Sequence, residues 1–207
     1  MKTPAKKLDL RKELKQLYGA TPGQVAELDV PPMNYLAIDG QGDPNTSPEY
    51  RTAIEALFST AYGLKFTVKK SGGPDYAVMP LEGLWWTAGN QPFSIEDKRH
   101  WLWTAIIAQP PMVTGQLLEA VLEQVKKKKD LPALPRLRLE SLTEGMSVQT
   151  LHVGPYSMEG PTIARLHQYL REHGYALSGK HHEIYLNTPD RTAPEKLKTI
   201  IRQPVRR

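Results

Sequence analysis

The chain has 207 residues, of which 40% are apolar, with a formal net charge of +5 and a pI near 9.3. This length fits one domain, or two small ones that share a core, and the apolar fraction excludes global disorder. The absence of cysteine excludes disulfides, thiolate zinc sites and a cysteine nucleophile.

The positive charge does not by itself predict a nucleic-acid partner. Four of the lysines, Lys126–Lys129, close a predicted helix, where cations complement its carbonyl end. No zinc-finger spacing, RNP-type motif or basic zipper accompanies them. No apolar run is long enough to cross a bilayer, and the first residues lack a secretory signal. We therefore expect a cytoplasmic protein with no nucleic-acid partner and no membrane contact.

The leader, residues 1–32, predicts one short helix over residues 8–18, which Gly19 and Pro22 end. A strand over residues 33–38 follows, because the two prolines before it favour extended chain.

Ser47-Pro48-Glu49 places an N-cap, a proline and an acid in the order that begins a helix. Apolar residues then recur at helical spacing, and Gly63 is expected to end the helix. Two strands complete this half of the chain, one over residues 75–88 with a bend at Gly83 and one over residues 98–108.

The second half begins with an amphipathic helix over residues 114–129 and a proline-rich linker over residues 131–135. Strand and helix patterns then alternate to the end of the chain. The predicted strands lie at residues 136–142, 146–153, 181–186 and 196–205, and the predicted helix lies at residues 160–173.

Each half thus contains the same order of elements: strand, glycine-containing loop, proline-started helix, strand, strand. We predict an α+β fold of two such repeats about a pseudo-two-fold axis, with antiparallel sheets and a central groove of the kind that ligands occupy. The prediction is a single domain over residues 1–207. Its parts are the leader 1–32, a first repeat 33–112, a connecting helix and linker 113–143, and a second repeat 144–207.

Glu183 is the most informative residue of the chain. The run His181–Leu186 alternates with a period of two, so His181, Glu183 and Tyr185 share one face of a strand. An acid at the centre of such a run is disfavoured unless its face is wet or lined by partners. Glu183 is therefore either an ordinary solvated residue or a base with a raised pKa beneath aromatic rings.

Four stretches together resemble the GyrI-like small-molecule-binding family. They are residues 8–18, residues 30–42, His152-Val153-Gly154-Pro155-Tyr156 and Glu183-Ile184-Tyr185-Leu186. The resemblance implies a duplicated strand-helix-strand-strand fold and an acid at Glu183 that reaches into its groove. Family modules are often fused to a DNA-binding region, where they sense drugs. Stand-alone members with this leader are similar to a branch that hydrolyses cyclopropane-bearing genotoxins of the duocarmycin and yatakemycin type.

Aromatic side chains would suit a planar ligand, because flat rings stack and bury large areas. We predict Trp85 and Trp103 as walls of the groove. Further candidate ligand-binding residues are Tyr62, Met79, Trp101 and His152. The alternative is that the rings pack the core and that His152 is a hydrogen-bonded structural residue.

Water addition to a cyclopropane conjugated to a dienone needs a base for the water and a donor near the developing oxyanion. We predict Glu183 as the base and Tyr156 as the donor. Glu159 is expected to cap the following helix. The prediction includes no cofactor and no metal site, because no further ligands stand at a recognisable spacing.

Two other functions share these residues. A sponge or sensor would hold planar or cationic aromatic compounds, with Glu183 as the counter-ion. A protein-binding role would shield a DNA-processing enzyme from inhibitors. An exposed edge strand would also allow a homodimer.

Overall fold

The computed structural model of the chain describes residues 8–87 and 98–207. The helices are α1 Leu10–Glu13, α2 Lys15–Tyr18, α3 Pro48–Lys70, α4 Gly115–Lys126 and α5 Gly160–Glu172. The strands are β1 Ala26–Val30, β2 Met33–Gln41, β3 Glu82–Thr87, β4 Trp101–Gln109, β5 Arg138–Leu142, β6 Gly145–Val153, β7 Ala176–Leu177, β8 His181–Tyr185 and β9 Lys198–Arg206.

Within the described ranges the strands form an antiparallel sheet in the order β1-β6-β9-β8-β3-β4-β2-β5, and β7 pairs with β9. The first repeat contributes β2-β4-β3 and the second contributes β6-β9-β8, so β3 and β8 meet at the centre. Each half of the sheet has the same internal order. Outward from the centre, β8, β9 and β6 of the second repeat correspond to β3, β4 and β2 of the first, as a pseudo-two-fold axis between β3 and β8 requires. The predicted duplicated α+β fold is confirmed.

The strand that precedes each repeat pairs with the other repeat. β1 pairs with β6, although only Pro31 and Pro32 separate it from β2 at the opposite end of the sheet order. Such a short connection spans at most about 11 Å, so the sheet curls until its two ends approach each other. β5 makes the matching exchange by pairing with β2. The sequence analysis did not identify β1, a strand of only five residues in which Ala26, Leu28 and Val30 alternate with two acids and most residues are exposed.

α3 extends past the predicted stop at Gly63 and ends at Lys70. The glycine instead permits close helix packing. A Cβ at Gly63 would lie 2.7 Å from the Val121 side chain of α4. The first half of the strand predicted over residues 75–88 is also wrong, because β3 begins only at Glu82. Pro80 lacks the N–H that a sheet ladder needs, and the predicted end at Ala88 lies outside the described residues.

The two faces of the sheet have different coverings. Side chains of directly paired residues point to the same side, so Trp85, Trp103 and Glu183 share one face. α3 and α5 pack on that face, which we call the helical face. The opposite face contacts the leader, because Tyr18 donates a hydrogen bond to Glu82 and Arg202 donates one to the carbonyl of Leu17.

A buried charge network on this leader face fixes β8 in place. His182 is fully buried, and its two ring nitrogens lie 2.9 Å from Glu82 and 2.9 Å from Glu144. Arg202 donates to Glu144 at 2.9 Å. Burial opposes the charge on His182, but Glu144 and Glu82 outweigh it and raise the pKa of His182 to about 9. These contacts set the position of the strand that carries Glu183 on its other face.

No helix among residues 8–87 and 98–207 is long and apolar enough to cross a membrane.

Candidate functional site

A cavity of about 890 Å³ opens on the helical face, above the central strands β3 and β8. α3 forms one wall through Tyr50, Ile54 and Phe58, and the start of α5 forms the other through Gly160 and Ile163. The remaining lining residues come from the loops at its rim, from the sheet and from Arg11 of α1. They include Val78, Met79, Pro80, Leu81, Trp85, Trp101, Tyr156, Glu159, Glu183, Tyr185 and residues 186–191.

The floor of this cavity depends on a glycine next to the central acid. Gly83 of β3 is paired with Glu183 of β8. A Cβ at Gly83 would lie only 2.6 Å from Nε1 of Trp85, so the indole ring lies across the glycine. This close approach lays an aromatic face flat on the sheet beside Glu183. Trp101 continues the aromatic surface, with its ring centroid 5.2 Å from that of Trp85.

Glu183 faces the cavity with only 8% of its surface exposed. Its Oε2 accepts a 2.7 Å hydrogen bond from the hydroxyl of Tyr185, and its Oε1 lies 3.2 Å from Nε2 of His181. Both partners lie two residues away on the same face of β8, as the period of the strand requires. The carboxylate is thus held in one orientation by two hydrogen-bond partners of its own strand.

Tyrosine hydroxyls surround this carboxylate. Burial, followed by the charge of Glu183, raises the pKa of Tyr50 and of Tyr185 well above the usual value. Burial and the nearby charges of Glu159 and Glu183 raise the pKa of Tyr156 to about 12. The ring of Tyr156 packs edge-on against Tyr185, with centroids 5.5 Å apart. These hydroxyls therefore remain protonated donors at neutral pH.

A second acid, Glu159, lines the same cavity. It is 5% exposed and occupies the N-cap position of α5, as predicted, but its side chain makes no capping hydrogen bond to that helix. Within the described residues its Oε1 is buried without a hydrogen-bond partner. Burial and the charge of Glu183 raise the pKa of Glu159 to about 9. At neutral pH the cavity therefore contains a neutral carboxylic acid.

Five of the residues singled out in the sequence line this cavity: Met79, Trp85, Trp101, Tyr156 and Glu183. The cavity does not include Trp103, which is fully buried beneath α3 with its ring edge-on to Tyr50. Its indole covers Gly40, where a Cβ would lie 2.2 Å from the ring. Trp103 thus supports Tyr50 from below.

Tyr62 and His152 also lie elsewhere. Tyr62 is 47% exposed and lines a separate groove between α3 and α4, together with Phe58 and Phe66. His152 is buried, and its ring nitrogens lie 3.0 Å from the hydroxyl of Thr162 and 3.2 Å from the carbonyl of Pro155. These two contacts hold the loop that carries Tyr156 against the start of α5.

Tyr185, Tyr50 and Glu159 line the cavity with polar groups and were not among the predicted site residues. Tyr185 could have been identified, because it shares the period-two face of Glu183. Tyr50 belongs to the apolar stripe of α3, and nothing in the sequence distinguishes it from a core residue. Glu159 could not be identified, because its burial results from the packing of α5 against the sheet. Among the described residues no group of three or more His, Asp or Glu side chains could hold a metal ion.

Comparison with known proteins gives a consistent result. The model of the GyrI-like small molecule binding domain matches residues 23–206. The structure is similar to an uncharacterized conserved protein from Listeria innocua, with 41% identity, a TM-score of 0.89 and coverage of 96% of this chain and all of that one. It is also similar to a hydrolase from Listeria innocua, with 40% identity, a TM-score of 0.86 and coverage of 97% and 100%.

The C-terminal domain of EcmrR shares the fold at 14% identity and a TM-score of 0.55, with coverage of 89% of this chain and 98% of that one. No curated protein matches the chain significantly.

Proposed function

Since the chain belongs to the GyrI-like small-molecule-binding family, we propose that it binds planar aromatic molecules in this cavity and hydrolyses cyclopropanoid compounds of the duocarmycin and yatakemycin type. The cavity residues Glu183 and Tyr156 act as base and hydrogen-bond donor in this proposal. The protein functions in the cytoplasm, in detoxification, without a cofactor or a nucleic-acid partner.

The observation that carries the proposal is the position of Glu183. A carboxylate that is 8% exposed, oriented by Tyr185 and bordered by the indole of Trp85, is an unusual floor for a ligand cavity. A purely apolar ligand would gain nothing from it. Proton abstraction from water is a function that a buried, oriented carboxylate in a ligand cavity fits.

The size and lining of the cavity support a planar substrate. A volume of about 890 Å³ falls in the range of small-molecule sites, which are typically about 300–1,000 Å³. Trp85 and Trp101 provide ring faces, and Phe58 and Ile54 add apolar surface from α3. Stacking on such rings contributes about 0.5–1.5 kcal/mol per pair beyond the burial of area.

The proposed reaction adds one water molecule. Glu183 accepts a proton from water as the water oxygen bonds to the cyclopropane CH₂ carbon. The ring C–C bond breaks, and its electron pair moves through the dienone to the carbonyl oxygen, which becomes a phenolate. A donor then supplies a proton to this oxygen, and the product is a phenol that carries a new alcohol. The ring strain lowers the barrier, so no covalent protein intermediate is needed.

Similarity to the Listeria innocua protein described as a hydrolase supports a hydrolytic reaction at this site. A cyclopropanoid compound mixed with a hundredfold smaller amount of protein tests it, because the loss of the dienone changes the ultraviolet spectrum. Complete conversion supports the enzyme. Loss that stops at one equivalent of protein refutes turnover and leaves a sponge, in which Glu183 is a counter-ion.

A further inference from the structure

The cavity contains two acids with different surroundings, and the proposed reaction uses only one of them. Glu159 lies at the start of α5 and Glu183 lies on β8, and both line the same space. Glu183 has Tyr185 and His181 as hydrogen-bond partners, whereas Oε1 of Glu159 is buried without one in the part of the chain that the structure describes. An unpartnered buried carboxyl oxygen is unfavourable unless the group is neutral or a ligand completes it.

We propose that Glu159 is the proton donor of this site, so that the cavity works with an acid and base pair in which Glu159 gives a proton to the phenolate oxygen and Glu183 takes one from water. This inference rests on the proposed function. It assigns the final protonation to a carboxylic acid, with Tyr156 as a hydrogen-bond donor that orients the same oxygen.

The charged and polar groups around Glu159 agree with this assignment. Burial is the largest influence and the charge of Glu183 is the second, and both raise the pKa of Glu159, to about 9. The nearby hydroxyl of Thr199, which itself has no hydrogen-bond partner within bonding distance among the described residues, and the positive charge of Lys98 lower the pKa of Glu159 but do not outweigh these two effects. Two carboxyl groups whose surroundings separate their protonation states are the usual arrangement for paired acid and base catalysis.

Glu159 is a better proton donor than Tyr156 at neutral pH. The pKa of Tyr156 is raised to about 12 and that of Glu159 to about 9. Glu159 is therefore the more acidic of the two groups and the closer match to a phenol, whose pKa in water is about 10. After the reaction Glu159 is charged and Glu183 is protonated. Proton transfer from Glu183 to Glu159, directly or through water, restores both.

The test is the single-turnover rate of the full chain on a cyclopropanoid compound from pH 6 to 10.5, for the wild type, Glu159→Gln and the exposed control Glu195→Gln. Glutamine retains an N–H hydrogen-bond donor but cannot transfer a proton. We expect the wild-type rate to fall above pH about 9 as the acid ionises. We expect Glu159→Gln to be about 100-fold slower at pH 7, at the lower end of the range for general acid catalysis, and to lack that alkaline decline.

A second measurement keeps the inference testable without turnover. In protein labelled with ¹³C at the glutamate carboxyls, one resonance should titrate near pH 9 in the wild type and be missing from Glu159→Gln. Its absence from the wild type overturns the inference, whatever the substrate. Equal rates for the wild type and Glu159→Gln also overturn it but leave the proposed function intact. A wild type that binds the compound without converting it overturns the proposed function and the reaction role of Glu159 together.

Discussion

Replacement of the proposed base by its uncharged isostere, Glu183→Gln, is the sharpest single perturbation of the site. A general base contributes a factor of about 10²–10⁴ in rate, and each factor of ten corresponds to about 1.4 kcal/mol of barrier. We therefore expect the rate to fall by about 10²–10⁴, which raises the barrier by about 3–5 kcal/mol.

The same substitution should have little effect on folding and on stacking. Glutamine has the shape of glutamate, and its Oε1 can still accept the 2.7 Å hydrogen bond from Tyr185. The indole of Trp85, which lies across Gly83, has no reason to move. We expect the free energy of unfolding to change by about 1 kcal/mol or less, within the range of isosteric changes.

The assay is the ultraviolet spectrum of a cyclopropanoid compound under single-turnover conditions, together with quenching of tryptophan fluorescence for affinity. Glu119→Gln is the matched control, because Glu119 lies exposed on α4, away from the cavity lining. A Glu183→Gln rate within threefold of the wild type would refute the assignment of the base. The Glu119→Gln control must turn over at the wild-type rate for a change in the Glu183→Gln rate to be attributed to the base.

Three further predictions concern the surroundings of this acid. Gly83→Ala should push the indole of Trp85 off the sheet. We expect it to lower the free energy of unfolding by about 1–3 kcal/mol in urea titrations and to weaken ligand affinity. Unchanged affinity would contradict the role of the glycine. Tyr62→Ala should leave affinity unchanged and Trp85→Ala should lower it at least tenfold, as measured by isothermal titration; the reverse order would place the ligand between α3 and α4. His182 has a raised pKa, so its contribution to stability is complete below pH about 6.5 and is lost as the pH rises through about 9. The wild type should lose about 3 kcal/mol over that interval, from about 1.4 kcal/mol per pKa unit, and His182→Gln should show no such slope.

Much of the fold could be predicted, because the spacing of apolar residues and the residues that begin and end helices indicate the secondary-structure elements directly. The order Ser47-Pro48-Glu49 places the start of α3, and the alternation of His181–Leu186 identifies β8 and the residues that share one of its faces. The repeated element order indicates the two-fold arrangement in which β3 meets β8.

The differences between prediction and structure have a common physical origin in contacts between distant parts of the chain. Gly63 has the signal of a helix end, but its actual partner is Val121, which is 58 residues away. Trp103 and Trp85 lie opposite each other on paired strands, yet α3 covers the first while the second lines the cavity. Local pattern assigns a face to a residue but does not say which part of that face a helix will cover.

Glu159 illustrates the same limit for chemistry. An acid before a helix favours a capping role by sequence, and only the packing of α5 beside Glu183 makes it a buried neutral acid. The position of Glu183 was predictable from its strand, since the face of a strand follows from counting residues.

The most direct test of the central claim is the fate of the water oxygen. A single turnover of a cyclopropanoid compound by excess protein in H₂¹⁸O, followed by mass spectrometry of product and protein, distinguishes a base from a nucleophile. If Glu183 activates water, one ¹⁸O enters the new alcohol of the product and none enters the Glu183 carboxyl. Recovery of ¹⁸O in Glu183, or of a covalent adduct on it, would contradict this account.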